Sequence, residues 1–179
     1  LGEGDAGNVS VNTQNLTIRD GATINTTSHN DGNSGNVTIN ASKAVEVRGG
    51  NGIQGANINS SVLPQLAFIE NFPLPMEPAG NAGYVIVNNT YLKVSDDGSV
   101  SVSNRGKGNA GKLVVSADFI QLTNLGSLVA QSNSGEGGNI FVQTDSLQIR
   151  KNSDITTNAK GEGNGGNITI NAITLVALE

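Results

Sequence analysis

The chain has 179 residues, with 24 glycines, 3% aromatic residues, one histidine, no cysteine, no tryptophan and a formal net charge of −5. Ten unclustered basic residues exclude a nucleic-acid partner, whose phosphates need Lys and Arg. The missing cysteine excludes disulfides and thiolate metal sites, and no apolar run reaches the roughly 18 residues of a membrane-spanning helix.

In chain order, six glycines mark a repeat: Gly7, Gly35, Gly83, Gly111, Gly138 and Gly166. Their spacings are 28, 48, 28, 27 and 28 residues. The first repeat places Val9 and Val11 just after its marker, then Leu16 and Ile18, an Asp20-Gly21 turn, and Ile24. The second has Val37 and Ile39, then Val45 and Val47, and aligning Ala56 with Ala22 brings Ile58 level with Ile24. The third has Val85 and Val87, Leu92 and Val94, a turn at Asp97-Gly98, and Val100. The fourth has Leu113 and Val115, Ile120 and Leu122, a turn at Leu125-Gly126, and Leu128. The fifth has Ile140 and Val142, Leu147 and Ile149, a turn at Asn152-Ser153, and Ile155. The sixth has Ile168 and Ile170, then Leu175 and Ala177.

Each pair is an apolar–polar–apolar triplet, the period-two pattern of a strand with one buried face. No stretch has the spacing of an amphipathic helix. Strands this short bury a face only by stacking on the next repeat. The predicted fold is all-β: a parallel β-helix of about 28 residues and three short strands per coil, with five to six coils. At the spacing of sheet strands, five and a half coils span on the order of 25 Å. Asn8, Asn36, Asn139 and Asn167 each follow a marker glycine, and stacking of these residues would make an amide ladder. Plain turn chemistry would also favour asparagine there.

The phrases GDAGNVSVNTQNLTIRDGATINTTS, GNSGNVTINASKAVEVRG and GNGGNITINA resemble the shaft repeats of filamentous-haemagglutinin-like exoproteins, cyanobacterial ones above all. The resemblance spans nearly the whole chain except an insert. It implies a right-handed solenoid, a secreted or cell-surface location associated with the outer membrane, and export by two-partner secretion through an outer-membrane transporter. It implies a role in adhesion or cell–cell contact. On this reading residues 1–179 are one β-helix segment of a longer rod, acting as a stiff structural spacer. The family's secretion and toxin residues have no counterparts here.

The 48-residue spacing holds an insert at about 62–79, which carries all four prolines. Proline cannot donate to a sheet ladder, so this stretch leaves the coil and returns. Its apolar residues are Leu63, Leu66, Phe68, Ile69, Phe72, Leu74 and Met76. One reading has the loop fold back and cover the shaft. The other makes it an exposed patch that binds a cell-surface glycan or protein.

A polysaccharide-active β-helix enzyme is the remaining class, and it needs carboxylates clustered on one face. Asp96-Asp97, with Lys93 upstream, is the nearest approach, and Leu125 and Asn152 hold the positions equivalent to Asp97. No acidic column forms, and no catalytic residue is assigned. His29 has no second histidine or cysteine for a metal site. Asp20, Asp31, Asp96, Asp97 and Asp154 lie in or near turns, but the calcium-binding nonapeptide of β-rolls is absent. The sequence therefore assigns neither a metal nor a cofactor.

Overall fold

The computed structural model describes residues 4–29, 31–50, 55–64, 77–161 and 163–179. Among them are twelve strands and no helix. These are β1 (Val9–Arg19), β2 (Thr23–Ser28), β3 (Val37–Arg48), β4 (Asn57–Val62), β5 (Tyr84–Asn88), β6 (Tyr91–Ser95), β7 (Ser99–Asn104), β8 (Lys112–Thr123), β9 (Ser127–Ser132), β10 (Asn139–Arg150), β11 (Asp154–Ala159) and β12 (Ile168–Leu178). All neighbouring strands are parallel, and each pairs with its counterpart one repeat away. The fold is a parallel β-solenoid with coils of about 28 residues.

Three strand segments occur in each of the first five coils, as the triplets predict, and β12 supplies the first two of the sixth. The first two run on as one strand of 11 or 12 residues in β1, β3, β8, β10 and β12. Only the third coil separates them, as β5 and β6. Together these make a seven-stranded sheet. The third segments form a five-stranded sheet in the order β11-β9-β7-β4-β2.

Register turns the repeat into columns. Val9, Val37, Val85, Leu113, Ile140 and Ile168 stack in one, and Leu16, Val45, Leu92, Ile120, Leu147 and Leu175 in another. Ile24, Ile58, Val100, Leu128 and Ile155 stack on the opposite sheet. In the middle coils these side chains are fully buried and form one continuous core. The first and last coils are less buried, since each has a neighbour on one side only.

The marker glycines have a steric cause. A Cβ built on Gly35, Gly83, Gly111, Gly138 or Gly166 would lie on the backbone carbonyl of the marker glycine one coil before it. At Gly7, in the first coil, a Cβ meets nothing within 4 Å. Inside the coil, hydroxyls serve this close approach. Thr26 and Ser60 donate to the Gly35 carbonyl at 2.7 and 2.8 Å, and Thr157 donates to the Gly166 carbonyl at 2.9 Å.

The left-handed corner falls one residue earlier than the sequence places it in three coils. Positive φ occurs at Asp20 and Gly21, Asp96 and Asp97, Asn124 and Leu125, and Lys151 and Asn152. Gly98 and Gly126 follow these pairs and are small for another reason. A Cβ there would strike the carbonyls of Val47 and Val94 respectively.

Candidate functional site

Of the seven insert residues, only Leu63 lies within the described part of the chain. It is half-buried, and its N–H donates to the Ser28 carbonyl at 2.9 Å. Leu66, Phe68, Ile69, Phe72, Leu74 and Met76 lie outside the described residues. Both ends of the predicted loop belong to the solenoid. Val62 closes β4, is fully buried and stacks between Ser28 and Asn104. Pro78 accepts from the Lys107 N–H at 2.8 Å, and the Ala79 N–H donates to the Asp31 carboxylate at 2.9 Å.

The acidic corner is structural in its contacts. Asp96 accepts from Arg48 at 2.9 Å and from the Asn124 amide of the next coil. The Asn124 hydrogen bond, with help from Arg48, holds the Asp96 carboxyl below its ordinary value against the opposing effect of burial. Asp97 is exposed. Lys93 lies apart from both and faces Glu46 at 3.6 Å. His29 is exposed. Among the described residues no three His, Cys, Asp or Glu side chains converge on a metal-sized site.

The asparagine ladder exists, and its commonest rung joins side chain to backbone. Asn8 Oδ1 accepts from the Asn36 N–H at 2.7 Å, Asn36 Oδ1 from the Tyr84 N–H at 2.8 Å, and Asn139 Oδ1 from the Asn167 N–H at 2.8 Å. A second column, two residues before each marker, works in the same way. Asp5, Asn33, Asn81 and Asn109 accept from the backbone of Asn33, Asn81, Asn109 and Glu136 at 2.7 to 2.9 Å. Each rung supplies a backbone N–H at the coil corner with the partner it would otherwise lack.

A third column lies on the outer face of the seven-stranded sheet and joins amide to amide. Asn40 Nδ2 donates to Asn12 Oδ1 at 3.0 Å, and Asn88 Nδ2 donates to Asn40 Oδ1 at 2.9 Å. These three asparagines are exposed. With Thr13, Ala41, Ser42, Asn89 and Thr90 they line an open groove of about 430 Å³ across the first three coils. Asn89 stands at the bend where the third coil breaks its long strand, level with Ala117 in the next coil. Its backbone N–H donates to the Ser116 carbonyl at 3.0 Å, but neither polar atom of its buried amide has a partner.

The same sheet carries every aromatic residue of the described chain on its outside. Tyr91 stacks on Phe119 with ring centroids 5.4 Å apart and planes 17° from parallel, and its hydroxyl donates to Gln121 at 3.1 Å. Lys112 Nζ lies 4.3 Å from the Phe141 ring centroid, and Tyr84 is 52% exposed. Each of these aromatic side chains precedes an inward-facing aliphatic (Val85, Leu92, Ile120 or Val142), so strand alternation places it outward. The outer face offers hydrogen-bonding amides, hydroxyls and flat rings, which suits holding a ligand along the axis. Comparison with known proteins gives no match: no family model, no curated protein and no solved structure matches this chain.

Proposed function

We propose that this chain is a stiff shaft segment of a large secreted or cell-surface exoprotein of the filamentous-haemagglutinin-like kind, used in adhesion or cell–cell contact. The observation that carries the reading is the continuous parallel pairing of coils, with the seven-stranded sheet running through all six coils and the five-stranded sheet through the first five. Every coil is hydrogen-bonded to its neighbours and shares their aliphatic columns, so bending at one coil strains the next. Such a body transmits force and holds apart whatever is joined to it. The repeat phrases support the family, and the family supplies the outer-membrane transporter and the surface location. The chain's role is mechanical rather than catalytic.

Antibodies raised against the folded chain test the location. Applied to intact cells of the producing organism, they label the surface without permeabilisation. Labelling only after lysis would overturn the proposal. Stiffness has a separate test: pulled end to end in a force spectrometer, the chain resists as a folded body and then gives way coil by coil. Extension at negligible force would remove the spacer role.

A further inference from the structure

We propose that the amide-lined groove on the outer face of the seven-stranded sheet binds an extended, neutral polysaccharide lying along the solenoid axis. This goes beyond a spacer role and does not depend on it. The groove is walled by Asn12, Asn40 and Asn88, one from each of the first three coils, with Thr13, Ser42 and Thr90 beside them. No charged side chain lines it, and Ala41 is its one apolar residue. A phosphate or carboxylate ligand would find no counter-charge there. Within the groove itself a protein partner would find only Ala41 as an apolar contact, too small to anchor an interface. Hydroxyl groups, which both donate and accept, are the chemistry that amides and hydroxyls match.

The amides are fixed in advance. The Asn12–Asn40–Asn88 ladder uses one N–H of each donating amide and one lone pair of each accepting oxygen. The remaining N–H groups and lone pairs are left at the exposed face. Holding them in place before binding lowers the ordering cost of capture. They repeat at the strand spacing of about 4.8 Å, close to the length of one sugar ring in a polymer. Beyond the groove, Tyr91 follows the lining residue Thr90 in sequence and stacks on Phe119, offering a flat surface of the kind against which a sugar ring packs. Asn89 adds an independent sign. It is one of the residues at the groove, and its covered amide has no partner. Native proteins seldom keep such a group without a use for it. A bound hydroxyl supplies the missing partner once the side chain turns outward.

The test is a titration of the 179-residue chain with cellohexaose, mannohexaose and, as the anionic counterpart, hexagalacturonate, followed by NMR of the side-chain amides. The expected result is saturable shifts at Asn12, Asn40, Asn88 and Asn89 with at least one neutral hexasaccharide, and none at Asn171. Asn171 belongs to the same outward column in the sixth coil, away from the groove. Asn40→Ala and Asn89→Ala should weaken binding at least fivefold, while Asn171→Ala should stay within twofold. No shift with either neutral sugar overturns the proposal, as does an equal or larger response to hexagalacturonate or a response centred elsewhere. The wild-type shifts decide the matter even where a variant folds poorly.

Discussion

Replacing one marker glycine by alanine separates two explanations of why the repeat carries it. If glycine served only a turn, each marker would respond alike. The steric account makes Gly111→Ala costly and Gly7→Ala harmless. At Gly111 the new Cβ would lie on the Gly83 carbonyl oxygen, 2.7 Å from its carbon and 3.0 Å from the Ala82 oxygen. All of these are backbone atoms, which cannot swing aside as a side chain would. Relief requires the coils to part locally, which strains bonds such as Ala82 N–H to Asn109 at 3.0 Å and Ala110 N–H to Glu136 at 2.9 Å. Losing two or three bonds worth about 1 kcal/mol each costs roughly 2–3 kcal/mol, within the range of overpacking. For a domain of this size that lowers Tm by roughly 4–12 °C. Gly7→Ala meets open space and should fall within about 0.5 kcal/mol of the wild type, or stabilise it slightly through the unfolded chain. Urea unfolding followed by circular dichroism measures both. Equal shifts for the two variants, or a Gly111→Ala midpoint unchanged at constant m, would refute the steric account.

Asn104 is fully buried, donating to the carbonyls of Gly80 at 2.7 Å and Asn109 at 3.1 Å and accepting from the Gly106 N–H at 2.8 Å. Asn104→Asp turns the two donors into an anion facing carbonyls, at a cost on the order of 3 kcal/mol that shrinks as acid protonates it; urea midpoints at pH 7 and pH 4 measure this. Asp96, whose carboxyl sits below its ordinary 3.8, contributes stability that is complete above that value and lost as pH falls through the lowered folded-state value. The stability gap between wild type and Asp96→Asn should therefore close in acid, and a gap that widens there would be the contrary result. Excising residues 111–137, one whole repeat, should leave a folded solenoid one coil shorter, visible as retained β circular dichroism and a cooperative melt. Deleting 65–76 keeps Val62 and the Asp31–Ala79 contact, whereas deleting 62–79 removes both, so the longer deletion should be less stable by the worth of a buried valine, about 2 kcal/mol, and melt at a lower temperature.

The columns were legible in the sequence because they are apolar and periodic. Ile58 could be aligned with Ile24 across the insert for the same reason, and the two strands pair in that register. Polar interior positions were not legible. Thr26, Ser60 and Thr157 share a column with Val102 and Ala130, so no single residue type marks it. Asn104 reads as one more turn asparagine until its three hydrogen bonds are seen. The corners lie one residue earlier than the glycines suggest, because glycine is not the main bearer of the left-handed backbone. Here Asp, Asn, Lys and even Leu125 adopt that conformation, while Gly98 and Gly126 serve close packing. Val62 and Ala79, at the ends of the insert, carry no sequence signal of their contacts with the stack.

The solenoid divides its side chains into two classes with different duties. Inward positions must match the coil above and below, and a misfit there propagates along the rod. Outward positions on the sheets answer only to solvent and to neighbours in their own column, so they are free to differ between coils. In the seven-stranded sheet they differ in a concentrated way. Amide-to-amide hydrogen bonds join the outward column on coils one to three, and Tyr91, Phe119 and Phe141 lie on coils three to five. Stacking alone does not require that placement, since Ala44 and Ser146 occupy the Tyr91–Phe119 column in the flanking coils and the sheet continues through both. A passive rod would gain nothing from exposing rings there. The outer face of this sheet is therefore where a recognition role would be written, and a surface-binding site can be added to such a shaft without disturbing the columns that hold it together.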